Sequence, residues 1–123
     1  MDWITPSAER VLGLGERRDP RVRKPKRGDA APYRLIVEHA VPVKVLHDLI
    51  VGDSTLWKIE PLEEFLLANF KRGVLTSGED ALLNRVVVGE SRSLRQRMPT
   101  GWSVNDNNPY ARYGAVGVER HQY

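Results

Sequence analysis

The sequence predicts a small α+β domain: a mainly helical core with one or two short strands, flanked by extended N- and C-terminal arms. Three observations predict it. Residues 16–27 hold seven basic and two acidic side chains, two prolines and a single apolar group, Val22. So little apolar area cannot offset the roughly 1–2 kcal/mol per residue lost on ordering a backbone, so this stretch reads as an extended arm. Residues 33–89 pass from a strand-like pattern to helical periodicity, which marks the folding part. Beyond Met98 and Pro99, the aromatics Trp102, Tyr110, Tyr113 and Tyr123 lie among Gly, Asn and Pro turns. The expected division is an arm over 1–32, a core over 33–98 and a second arm over 99–123.

At the start of the chain, Thr5 followed by Pro6 fits an N-cap and first helical residue, so a short turn is expected at Pro6–Arg10. Tyr33 to Glu38 is rich in β-branched and aromatic residues and reads as a strand. After Pro42, Val45, Leu46, Leu49 and Ile50 share one helical face and Gly52 stops the run, which predicts a helix over 43–51. A second helix is expected over 61–72. Leu62, Phe65, Leu66 and Phe70 form its apolar stripe, Glu63 and Glu64 lie at its positive end, and Lys71 and Arg72 precede Gly73. Ser77-Gly78-Glu79-Asp80 has the spacing of a helix start, so a third helix is expected over 77–88, with its valine-rich end open to an extended alternative. Residues 90–98 fit a helical continuation ended by Pro99, and the alternative to the second arm is a strand at Ala115–Glu119 that completes the protein's own sheet.

Composition narrows the function. The chain has 123 residues, no cysteine and a net charge of +3. One small domain without disulfides or thiolate metal sites follows, and no cofactor is expected. There is no apolar run long enough for a membrane span, and the opening Met-Asp-Trp-Ile-Thr-Pro lacks the order of a signal peptide, so a soluble protein made in the cytoplasm is expected. Charge is unevenly distributed: residues 16–27 carry +5, residues 28–89 carry −3 and residues 90–123 carry +2. Basic ends and an acidic middle make one copy complementary to another.

Catalytic chemistry finds little support. Glu38-His39 and His47-Asp48 each put an imidazole beside a carboxylate, but adjacent side chains diverge. There is no Gly-rich phosphate cradle and no His-x-x-x-His metal pair. Glu63-Glu64 and Glu79-Asp80 lie where helix starts favour negative charge, which accounts for them without a metal. No enzyme and no small-molecule substrate are expected.

Assembly through the arms accounts for most features together. Trp3, Arg17, Arg18, Arg21, Arg23, Lys24, Lys26, Arg27, Trp102, Tyr110 and Tyr113 are the expected contact residues, with other copies or neighbouring protein subunits as partners. A compact centre with long termini resembles the plan of small head, connector or decoration proteins of tailed phage and of other ring-forming subunits, which implies a virion or similar particle. The alternative is a nucleic-acid-binding accessory protein, in which the arm arginines and a second strip at Arg92, Arg95 and Arg97 meet phosphate. A small immunity or inhibitor protein is a third reading.

Overall fold

The computed structural model describes residues 1–12 and 35–123. In chain order they form β1 (Trp3–Ile4), α1 (Pro6–Leu12), β2 (Leu35–His39), α2 (Val43–Gly52), α3 (Ile59–Asn69), β3 (Arg72–Thr76), α4 (Ser77–Leu83), α5 (Ala111–Val116) and β4 (His121–Gln122). Short 3-10 turns occupy Ser54–Leu56 and Val104–Asp106. The fold is mixed α and β, as expected, but the sheet is larger than one or two strands: four strands run in the order β2-β3-β1-β4. β3 is antiparallel to β2 and parallel to β1, and β4 closes antiparallel on β1. Among the described residues no helix is long and apolar enough to cross a membrane.

Residues from both ends of the chain therefore build the sheet. Trp3 pairs with Gly73 on one side and with Gln122 on the other. The indole lies flat where a side chain at residue 73 would stand, so only glycine fits there. Neighbouring strand residues face opposite sides: Trp3 and Leu75 join Ala40, Leu83, Leu94, Tyr113 and Val118, while Ile4 and Val74 pack with Ala8. A further apolar group, Val41, Leu46, Phe65 and Met98, lies between α2, α3 and residues 98–111.

Local chemistry explains the helix starts. Thr5 Oγ1 accepts from the Ala8 N–H and donates to Glu79 Oε1 at 2.6 Å. The same carboxylate oxygen accepts from the backbone and hydroxyl of Thr76, whose oxygen in turn accepts from the Glu79 N–H. One acid thus completes the capping box of α4 and anchors the start of α1.

Several expectations change. Trp3 and Tyr113, expected at contacts between subunits, are each only 1% exposed and lie against one another with ring centroids 4.7 Å apart. Rings buried in their own fold present no surface to another chain. Residues 99–123, expected as an extended arm, pack on the core through Tyr113 and Val118. The second predicted helix ends at Asn69 because Arg72 already begins β3, a strand the sequence reading missed. α4 ends at Leu83, and the valines after it are partly or fully exposed rather than helical. Residues 90–98 are irregular, held by burial of Leu94 and Met98. A strand from the tail does complete the protein's own sheet, but at His121–Gln122 rather than Ala115–Glu119, where α5 occupies Ala111–Val116 and Gly117, at φ 73°, stops it. The basic segment with Arg17, Arg18, Arg21, Arg23, Lys24, Lys26 and Arg27 lies outside the described residues.

Candidate functional site

The charged centre of the molecule is Arg112 on α5, which is wholly buried. Its Nε donates to the Ala40 carbonyl, and Nη1 donates to the carbonyls of Leu94 and Arg95. Nη2 donates to the His39 carbonyl and to Glu38 Oε1, the latter at 2.8 Å. All five guanidinium N–H groups are thereby used. This side chain ties the end of β2, the irregular segment and α5 together, and leaves no donor for a ligand.

Residues around it are shifted in titration. Burial pulls His39 below the ordinary imidazole value, with Arg72 and Arg112 pushing the same way against Glu38. Burial raises the Asp80 carboxyl, opposed by Arg95 and Arg112. It also raises the Tyr113 phenol. His39 rests its ring against Phe70 at 5.3 Å between centroids, which gives it a packing role. The Glu38-His39 pair of the sequence is therefore divided: the carboxylate is consumed by Arg112 and the imidazole packs at a tilt against Phe70. His47 and Asp48 approach to 3.5 Å on the exposed side of α2. Among the described residues no group of three His, Asp or Glu converges to hold a metal ion.

Among the described residues, two surfaces stand apart from this centre. The first is a cleft of about 590 Å³ between α2 and the irregular segment, lined by Lys44, Val45, Asp48, Arg92, Arg95 and Arg97 among others. Arg97 donates to Glu90 at 2.9 Å and to Thr100 Oγ1, and the Thr100 hydroxyl and N–H both donate to Glu90, which holds its carboxyl below the ordinary value. Lys44 and Arg92 make no ion pair among the described residues. The strip Arg92, Arg95 and Arg97 singled out in the sequence thus gathers at one cleft, on an irregular backbone rather than a helix.

The second is the outer side of α3. Ile59 is 83% exposed, Leu67 65% and Phe70 42%, and with Leu62 and Leu66 they form an apolar groove of about 420 Å³. Trp57, in the turn before the helix, is 64% exposed, yet its Nε1 already donates to the Ile50 carbonyl at 2.7 Å. Its one polar atom is satisfied internally, so what it shows to solvent is the apolar ring. The helix is apolar on more than the core side: Phe65 points inward while Ile59, Leu67 and Phe70 point out. Of the single stripe expected from the sequence, Leu62, Phe65, Leu66 and Phe70, only Phe65 is buried, while the other three line the groove. The signal of an outer face was present in the number of apolar residues, too many for a single face.

Of the other expected contact residues, Trp102 and Tyr110 are half-buried. Trp102 Nε1 donates to the Asn108 carbonyl, and the Arg120 guanidinium lies 3.2 Å above the Tyr110 ring. They line an open cleft whose acids and amides are engaged locally: Asp106 accepts from the Ser103 N–H and Asn108 from the Tyr110 N–H. No family model, curated protein or solved structure matches this chain.

Proposed function

We propose that this chain is a non-enzymatic assembly subunit that associates with copies of itself through the outer face of α3. The observation that carries the reading is the exposed apolar groove from Ile59 to Phe70, with a further exposed ring, Trp57, in the turn before the helix. Burying one such side chain is worth about 1.5–3 kcal/mol, and contiguous apolar surface of this kind marks an interaction site. Charge favours a second copy as the occupant. Glu60, Glu63 and Glu64 lie in the first half of α3 and Lys71 just beyond its end. Two such helices crossed antiparallel about a two-fold axis place the acids of each near the lysine of the other.

The test is mass in solution by light scattering over a concentration series. The full chain is expected to form a dimer or higher oligomer. Leu67→Glu, at an exposed helical position, should give a monomer with an unchanged circular-dichroism spectrum. A wild-type monomer at every concentration would end this reading.

A further inference from the structure

A different surface carries a second inference, independent of the α3 contact. We propose that the cleft between α2 and residues 92–97 binds the phosphate backbone of nucleic acid. Four cations line it, Lys44, Arg92, Arg95 and Arg97, against one acid, Asp48. Glu90 neutralises Arg97, and Arg95 also feels the Asp80 carboxyl, which leaves Lys44 and Arg92 as the cations without an ion pair among the described residues, against the one acid Asp48.

These cations stand on a fixed frame. The carbonyls of Leu94 and Arg95 are both held by the buried Arg112, and the Leu94 side chain is 0% exposed. The intervening backbone is thus anchored while the arginines on either side of Leu94 project outward, both exposed. A frame ordered in advance spares a ligand the entropy of arranging its own contacts.

The shape selects the ligand class. A cleft of about 590 Å³, open and lined on two sides by separate cations, exceeds what one phosphate fills and suits successive phosphates of a strand. Among the described residues that line it none is aromatic, so the cleft offers charge rather than the aromatic platforms of a base-stacking groove. Contact is therefore with the backbone, and binding is independent of base sequence. The seven basic residues of 16–27 add charge of the same sign to the chain.

Fluorescence anisotropy of labelled oligo-dT and of a labelled duplex, titrated with the full chain between about 50 and 200 mM salt, tests this. The wild-type protein should bind both, with log affinity falling linearly in log salt. Replacing Lys44 and Arg92 together by alanine should weaken binding about tenfold or more at the lowest salt and reduce the single-strand slope by about 1.4. Asp48→Asn should tighten binding, a gain that misfolding cannot produce. The proposal is overturned if neither variant moves the affinity. It is equally overturned if binding disappears only when Arg17, Arg18, Arg21 and Arg23 are replaced, or if polyglutamate binds as well as oligo-dT.

Discussion

Arg112 and Glu38 meet at 2.8 Å with the guanidinium at 0% exposure and the carboxylate at 21%, so the arginine is fully desolvated while its counter-charge keeps some water. The pair is asymmetric, and the remaining four donors of the arginine end on backbone carbonyls. Arg112→Met removes every one of these bonds and leaves buried carbonyls without donors, a loss expected to exceed about 3 kcal/mol. Glu38→Gln keeps an acceptor oxygen and should cost less, about 1–3 kcal/mol. Arg112→Lys, which offers three donors from a single point, should fall close to the methionine variant. Urea midpoints at neutral pH check the ranking; an Arg112→Met protein as stable as wild type would remove the clamp from the account.

Gly73 is the tightest steric requirement in the sheet. A Cβ there would stand 1.9 Å from Trp3 Cδ2 and 2.2 Å from Cε2. Gly73→Ala should therefore destabilise by about 3 kcal/mol, at or beyond the upper end of usual overpacking. Adding Trp3→Leu should return part of that loss, because the two residues share one space and their effects do not add. A double-mutant cycle on thermal or urea unfolding measures this.

Glu79 does more than cap its own helix. Thr76→Ala removes the hydroxyl of the capping box and should cost about 1 kcal/mol. Glu79→Ala also strips the acceptor from the fully buried Thr5 hydroxyl, and about 2–3 kcal/mol is expected. Amide exchange should quicken at Ala8 in the second variant and not in the first. Equal exchange in both would separate α1 from α4.

Acid should weaken the fold in two stages. The folded-state His39 value is depressed below the ordinary one near 6.5, so its stabilising contribution is complete above that pH and is lost as pH falls toward the lower folded value. Glu90, also depressed, behaves alike in the carboxylate range: its contribution holds above the unfolded value and fades as pH falls through the folded one. Asp80, raised by burial, has the opposite sign; its contribution is full below the unfolded carboxylate value and is lost as pH rises through the folded one. Stability measured by urea at a series of pH values should fall from pH about 7 to 5, and His39→Gln should flatten that stretch.

The parts legible in the sequence are those fixed by neighbours along the chain. The Thr5-Pro6 start, the body of β2, and α2 from Val43 to Gly52 follow from capping residues and periodicity. What was not legible depends on distant partners. β3 is five residues containing a glycine, and its strand character comes from pairing with β1 and β2 rather than from propensity. β1 and β4 are two residues each, too short for any alternation to register. Arg112 reads in sequence as one more surface cation, since arginine is rarely buried, and only the convergence of residues 38–40 and 94–95 upon it shows otherwise. Of the interaction surfaces, the spacing of Arg92, Arg95 and Arg97 was visible, but Lys44 joins them only through the fold.

The sheet order has a temporal side. Trp3 and Ile4 are synthesised before both of their partners: one flanking strand, β3, emerges some seventy residues later and the other, β4, only with residues 121 and 122. A nascent chain halted before that point carries an edge with unmet backbone donors and acceptors, open to pairing with other nascent chains. The sheet cannot close until residues 121 and 122 are available, and a synthetic peptide spanning β4 should seal molecules truncated before it by supplying the missing edge.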